Sequence, residues 1–427
     1  MLKKTINIKK PRSITGFIAR GFQLLVPGLL SLLLGACSDP VSSDYQRDMQ
    51  QLEQSITRIG KQLGLDPGNN GSTDTGNDAG DGKHKEQAQE QLLVRLSELY
   101  HRKAVLTGRY QDYRQLEQLL NKMSGQLNHP PALRYARANF NVGMHRLETA
   151  AALLDTLPPH IEASTPVRAL RLDISLQLGR YQQAEAQLQA LMADAPGWET
   201  LVRLAHYSLN TGKVSRAREL YQQAAEMLSA KQMYQYAWVK LQQGLLELEQ
   251  ENYARALEFY QVADRAYSGY WLIEEHIAEV LTLTGKKQQA ETMYRELVHK
   301  NPNPELKLAL AELLHTQDAH NEEAEQLRNE AMAEFNLRQS LYPEAATGHF
   351  VERLLTLEQA HPALLSSARL NFNTRPNADS KVLLAKSYLK LGKTDQARQL
   401  YEQILTTPWR NPGIEELARI LEQDPHN

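Results

Sequence analysis

The 427-residue sequence holds one cysteine, four tryptophans and seven phenylalanines, and its formal net charge is −2. A single cysteine excludes an internal disulfide framework, a cysteine-based zinc site and an iron–sulfur cluster. The near-neutral balance gives no general field for a polyanion such as nucleic acid. A mean hydropathy of −0.52 excludes a multispan membrane protein. Catalytic signatures are missing as well: there is no H-E-x-x-H, no G-x-S-x-G elbow, no P-loop and no G-x-G-x-x-G fingerprint. The thirteen histidines are scattered, and His315 and His320, five residues apart, do not share a helix face, so they read as surface residues and no metal site is expected. Glu274, Glu275 and Glu279 gather with His276 on one predicted helix. Paired carboxylates can serve as acid and base, but here they read as a charged, solvated face, and the chain is not expected to be an enzyme.

What is present starts at the amino terminus. Lys3, Lys4, Lys9, Lys10, Arg12 and Arg20 form a basic region without an acid, followed by an apolar stretch from Phe22 to Leu34 broken by Gln23, Pro27, Gly28 and Ser31. That stretch falls short of the roughly 20 residues a bilayer span requires. Basic region, short apolar core and small residues describe a secretory signal over residues 1–36. It ends in Leu34-Gly35-Ala36-Cys37, with the sole cysteine last.

This tetrapeptide resembles the bacterial lipobox. The resemblance implies cleavage before Cys37 and a covalent lipid on Cys37 as the only attached group, with no other cofactor. Three acyl chains would hold firmly, at about 0.8 kcal/mol per buried methylene. Ser38 rather than Asp after the cysteine points to the outer membrane, by the enteric sorting rule, and away from inner-membrane retention. No adjacent Arg-Arg pair is present in this segment, which indicates Sec-type export. Losing residues 1–36 removes six basic and no acidic residues, so the mature chain carries 42 basic and 50 acidic residues, a net −8. A mildly acidic periplasmic body follows, with no basic patch for nucleic acid or anionic lipid.

Residues 37–65 read as anchor plus one amphipathic helix, in which Tyr45, Met49, Leu52, Ile56, Ile59 and Leu63 recur at spacings of three and four. Residues 66–84, beginning DPGNNGSTDTGNDAGDG, are too polar to offset their ordering entropy and read as a flexible linker that lets the body stand off the membrane. Residues 85–415 are helical throughout, and 416–427 read as a tail.

The helical part repeats. Gly179-Arg180-Tyr181-Gln182-Gln183-Ala184, Gly212-Lys213-Val214-Ser215-Arg216-Ala217, Gly285-Lys286-Lys287-Gln288-Gln289-Ala290 and Gly392-Lys393-Thr394-Asp395-Gln396-Ala397 share one frame, and Asn252-Tyr253-Ala254-Arg255-Ala256 shares it without the glycine. These segments resemble the tetratricopeptide repeat (TPR), with its turn glycine, the Tyr after it, the packing alanine and the closing Pro. The alanine ruler runs Ala150, Ala184, Ala217, Ala256, Ala290, Ala324, Ala363, Ala397, at intervals of 34 or 33 except for two of 39, and Tyr113 takes the alanine place in a unit upstream. The frame is weak around 305–375, and the Trp of the family pattern is replaced by Arg168, Leu201, Lys240 and Glu274. The resemblance implies an all-α, right-handed TPR-like α-solenoid of about nine helix-turn-helix units, since no unit can bury its apolar face alone. In this family the first helix of each unit lines the concave groove. Carried over by register, the groove residues are Arg203, His206, Asn210, Trp238, Gln242, Glu275, Glu279, Lys386 and Lys390. A groove mixing Arg, Trp and amides suits an extended peptide or a partner helix.

The sequence thus predicts an outer-membrane lipoprotein facing the periplasm, acting as a scaffold for partner proteins in envelope assembly or export (outer-membrane proteins, pilus or exopolysaccharide). Two other readings remain open at this level: a regulator of a peptidoglycan synthase or hydrolase, and a carbohydrate-binding module or weak hydrolase. No small-molecule substrate is expected.

Overall fold

The computed structural model describes residues 42–65, 82–126, 130–357 and 359–423. Among these residues there are helices and turns and no strand. The signal segment, Cys37 and most of the predicted linker lie outside them.

The described residues form two compact units, one of 42–142 and 148–167, the other of 143–147 and 168–423. The first opens with α1 (Asp44–Gln62), α2 (Gly82–Thr107) and α3 (Tyr110–Gln126), followed by α4 (Pro131–Gly143), α5 (Leu147–Asp155) and the single turn α6 (Pro159–Glu162). Helix α1 starts at a reciprocal cap, in which the Ser43 hydroxyl accepts from the Gln46 N–H and the Gln46 side chain accepts from the Ser43 N–H. Its apolar stripe is buried through Leu52 and Ile59. It is docked on α2: Tyr45 donates to the Leu106 carbonyl, Arg102 pairs with Asp48 at 3.0 Å and Lys103 with Glu53 at 3.3 Å. The predicted linker thus joins two helices that pack on each other. Tyr113 is buried where other units place alanine.

His101 of α2 is held neutral in this unit. Its Nδ1 faces the Asn139 amide at 3.1 Å and its Nε2 is buried. Burial lowers its pKa from 6.5 to about 4. Between those two values the unfolded chain takes up a proton that the folded chain refuses. The contribution is therefore complete above about pH 6.5 and lost as pH falls, by roughly 3 kcal/mol at most. We expect the melting temperature to fall from pH 6.5 to pH 4 with a slope that His101→Gln flattens. An equal slope in both proteins would rule out His101 as its source.

The second unit runs through α7 (Thr165–Gln177), α8 (Tyr181–Asp194), α9 (Trp198–Asn210), α10 (Val214–Glu226), α11 (Met233–Glu249), α12 (Tyr253–Ala266), α13 (Trp271–Leu283), α14 (Lys287–Lys300), α15 (Pro304–Gln317), α16 (Glu322–Leu341), α17 (Pro343–Thr356), α18 (Leu364–Thr374), α19 (Ala378–Lys390), α20 (Thr394–Leu405) and α21 (Pro412–Glu422). Odd-numbered helices up to α19 are the first helices of their hairpins and even-numbered ones the second. The alanine ruler works as packing predicts. Ala184, Ala217, Ala256, Ala290, Ala324 and Ala397 are all buried, and the absence of a larger side chain lets the second helix lie close on the first. Starts are marked by side-chain caps at Asn303, Asn321, Asn377 and Asn411 and by prolines at the heads of α15, α17 and α21.

Three expectations are revised here. Ala363 precedes α18 and does not hold the packing place, which is taken by Ser367 and Ala368 inside that helix. One long interval is absorbed by lengthening, since α16 runs 20 residues. The body also does not end at 415: Ile414, Leu417 and Leu421 of α21 are buried, so this helix closes the core through residue 422.

The turn glycines sit at positive φ, as at Gly179 (φ 69°). Where the sequence offers none, His145 (φ 56°) and Glu251 (φ 60°) take the same left-handed conformation. Gly179 has a second reason to be glycine, because a Cβ there would meet the Pro376 carbonyl oxygen at 2.7 Å. That close approach marks the main departure from the expected open groove: the first hairpins of this unit meet its last ones.

Candidate functional site

The meeting line is built from both ends of the second unit. Trp409 stacks on Tyr181 with ring centroids 4.3 Å apart, and Tyr207 meets it edge-on at 5.6 Å. The Tyr181 hydroxyl accepts from the Ala378 N–H at 2.8 Å, and the Arg410 N–H donates to the Asn210 carbonyl at 2.6 Å. Arg375 approaches Nε2 of His145 at 3.2 Å, while Nδ1 of that ring faces Gln177 at 2.7 Å. One continuous apolar core joins α7–α9 to α15–α21.

Of the predicted groove residues, Asn210 is bonded across this line. Arg203 is buried and forks onto Asp173 of α7 with two bonds of 2.9 Å. Burial pushes the Asp173 carboxyl upward, and Arg203 opposes that shift. His206 and Asn210 are half-buried at the meeting line, where Asn210 also receives the Asn411 amide at 3.3 Å. Trp238 is buried edge-on to Trp198, and Gln242 is buried beside it on α11. Lys386 pairs with Glu416 at 2.8 Å, and Lys390 donates to the Leu355 and Leu357 carbonyls at the end of α17. Of the predicted row, Arg203, Lys386 and Lys390 bond to neighbouring helices, and Arg203, Trp238, Gln242, Glu275 and Glu279 are buried rather than solvent-facing.

Two arrangements have chemical content. The first is on α13. Glu275 and His276 are 0% exposed and Glu279 is 3% exposed, so the expected solvated face is an interior cluster. His276 Nδ1 lies 2.9 Å from a Glu279 carboxylate oxygen and 3.4 Å from one of Glu275. Tyr260 of α12 lies flat on the imidazole, centroids 5.3 Å apart. Gly244 of α11 makes room for that ring, since a Cβ there would meet Tyr260 Cε1 at 2.2 Å. Burial would lower the His276 pKa, but Glu275 and Glu279 outweigh it and hold it above the ordinary value. Nearby, burial alone would raise Glu247 of α11. Bonds from Arg218 (2.7 Å) and Asn252, with the charge of Arg255, hold it below its usual value.

The second is an open cleft of about 340 Å³ between α18, α19 and α20. Phe372, Leu384, Tyr388 and Leu400 give it apolar walls, and Arg369, Gln396, Gln399 and Gln403 give it a polar rim. Arg369 lies over the Tyr388 ring at 6.0 Å and reaches its hydroxyl at 3.3 Å. Aromatic walls with amide and guanidinium edges suit a short peptide segment. The register carried over from the family missed this cleft because most of its lining, from α18 and α20, lies on second helices. The three-and-four spacing of Gln396, Gln399 and Gln403 was its visible sign.

A stack of helical hairpins with an alanine-tight interface and a glycine turn defines an α-solenoid of the repeat class. Models of the tetratricopeptide repeat match residues 172–232, 202–270 and 379–407, and tetratricopeptide repeats are therefore identified in the chain. Repeats of this kind characteristically form non-catalytic protein–protein interaction scaffolds. A comparison with curated protein sequences finds no match. Solved structures similar to the chain include a human IFIT1 dimer with PPP-AAAA (14% identity over 84% of this chain and 80% of that one, TM-score 0.41), yeast Tom70 (14%, 96% and 78%, 0.35) and a tetratricopeptide repeat protein from Parabacteroides merdae (15%, 69% and 99%, 0.33).

Proposed function

We propose that this chain is an outer-membrane lipoprotein, anchored through Cys37 and facing the periplasm, whose repeats hold partner proteins of an envelope assembly or export machine. The observation that carries the anchor is the position of the sole cysteine, at the end of Leu34-Gly35-Ala36-Cys37 and directly after the apolar stretch. The repeats carry the scaffold role, and the cleft beside Tyr388 is a concave surface suited to a partner segment. The docked helix α1 sharpens the picture. Six residues lead from Cys37 to Ser43 and can span no more than about 20 Å, so the first unit would work close to the bilayer.

Two measurements test this. Cys37→Ser should abolish palmitate labelling and release the protein from membranes, and persistent labelling would remove the anchor. Crosslinked envelopes should yield a protein partner that Arg369→Glu with Tyr388→Ala depletes at least tenfold. Charge reversal at Arg203 or Glu279 would test folding instead, because both are buried. Recovery of a peptidoglycan synthase or hydrolase alone would move the reading to regulation of that enzyme. Saccharide binding with no protein partner would overturn the scaffold.

A further inference from the structure

The cleft between α18, α19 and α20 differs from the first-helix row in what its polar groups touch. Lys386 and Lys390 of α19 are held by Glu416 and by the carbonyls at the end of α17. The rim of the cleft is unspent. Of its nine lining residues, Arg369 alone is charged, and no carboxylate lines it. Arg369 is exposed and is held by a ring rather than by an acid. Its Nη2 donates to the Tyr388 hydroxyl at 3.3 Å, and its guanidinium carbon lies 6.0 Å from that ring's centroid. The side chains of Gln396, Gln399 and Gln403 are exposed along α20. The surrounding sequence has the same sign as Arg369. Residues 364–411 hold eight Lys and Arg against three Asp and Glu, in a chain whose total is −2.

We propose, resting on the scaffold reading above, that this cleft binds an extended segment of a partner protein, which sets an acidic side chain on Arg369 and an apolar side chain against Phe372, Leu384 and Leu400. Charge is the first reason. A guanidinium carries its N–H donors in a rigid fork, and the Tyr388 hydroxyl takes only one of them. A carboxylate can dock on the others in the paired geometry. A basic segment would meet like charge both at Arg369 and in the stretch around it. A wholly apolar segment would strip water from the guanidinium and supply no counter-charge, which is costly. The extended form of the segment follows from α20. Gln396, Gln399 and Gln403 stand three and four residues apart, so at 1.5 Å per residue they recur roughly every 5 Å and span about 10 Å. Three residues of extended chain cover that length at about 3.3 Å each. Each amide offers both a donor and an acceptor, which match the unpaired N–H and C=O groups of an extended backbone. A bound helix would have those groups bonded internally and would leave the amide row without a role.

The test uses the full-length chain in detergent and fluorescent peptides with blocked ends, in which leucine alternates with aspartate, with asparagine or with lysine. Fluorescence anisotropy reads the binding. The aspartate peptide should bind about tenfold more tightly than the asparagine peptide, as a charge-assisted pair would give, and the lysine peptide should bind more weakly than either. Arg369→Gln should bring the aspartate and asparagine peptides to within about twofold of each other, because only the ion pair tells them apart. Arg216→Gln, at an exposed arginine of α10, should leave the preference intact. Gln399→Ala should weaken both peptides alike. Arg369 and Gln399 are exposed, so both variants should keep the fold, and a melting curve checks this. Equal binding of the aspartate and asparagine peptides, binding of none of the three, or a preference retained by Arg369→Gln would overturn the assignment. So would tighter binding of a single-stranded oligonucleotide than of the aspartate peptide. These results are separate from those of the envelope crosslink. A partner depleted by Arg369→Glu with Tyr388→Ala keeps the scaffold in place even where the acidic preference fails, and an aspartate preference of the purified chain stands even where no partner is crosslinked.

Discussion

Trp409→Ala should lower the stability of the second unit by about 3–5 kcal/mol and separate its first hairpins from its last. The indole is 4% exposed, lies flat on Tyr181 and is met edge-on by Tyr207, so one substitution empties the centre of the meeting line. The polar links across the line, among them the Tyr181 hydroxyl to the Ala378 N–H, the Arg410 N–H to the Asn210 carbonyl, the Asn411 amide to Asn210 and Arg375 beside His145, flank this aromatic group. They depend on the rings holding the two ends in register. A thermal melt should show the loss, and small-angle scattering should show a larger radius of gyration for the variant. Gly179→Val should act in the same direction by another route, because its Cβ would strike the Pro376 carbonyl. If Trp409→Ala kept both the melting temperature and the radius, the closure would not rest on this residue.

Arg203→Ala is the second large effect, again about 3–5 kcal/mol. Asp173 is 1% exposed and receives two bonds of 2.9 Å from the guanidinium. Without Arg203 its charge is stranded in the interior. Burial already raises the Asp173 pKa in the intact pair, and removal of the cation raises it further. An acid with a raised pKa in the folded state loses stability as pH rises through that pKa and regains it on acidification. The deficit of Arg203→Ala should therefore be largest at neutral pH and shrink towards acid. The double variant Asp173→Leu with Arg203→Met should recover most of the loss, since an apolar pair of similar volume removes both desolvation costs. A deficit independent of pH, or a double variant worse than Arg203→Ala, would show that the cost is lost packing rather than stranded charge.

Arg203 also shows how sequence register and tertiary environment part company. Its place on the first helix of a hairpin is fixed by the spacing of Ala184 and Ala217, and the structure finds it there. What it faces is another matter. In an open solenoid that row would meet solvent or a ligand, whereas here it meets Asp173 of the preceding hairpin. The same holds for Glu275 and Glu279. Their spacing put them on one helix face, but nothing in it said that Tyr260, packed against Gly244, would lie across that face. Ala363 failed for a different reason. Around 305–375 the helices depart from the standard length, and a ruler of fixed period slips there until Ala368 shows where α18 packs.

The amino-acid sequence alone determined the helices, their hairpin pairing and the small residues at the hairpin interfaces. Those follow from contacts within a few tens of residues, where period, capping and side-chain volume leave few options. Its opening scarcity, a single cysteine, also carried the anchor expectation. Tertiary structure decided the rest: that α1 docks on α2, that the last hairpins reach the first, and that an acid–histidine cluster is sealed inside. Closure of the second unit joins residues 197 and 201 positions apart, as at Tyr181 with Ala378 and Asn210 with Asn411, and no local pattern specifies such pairs.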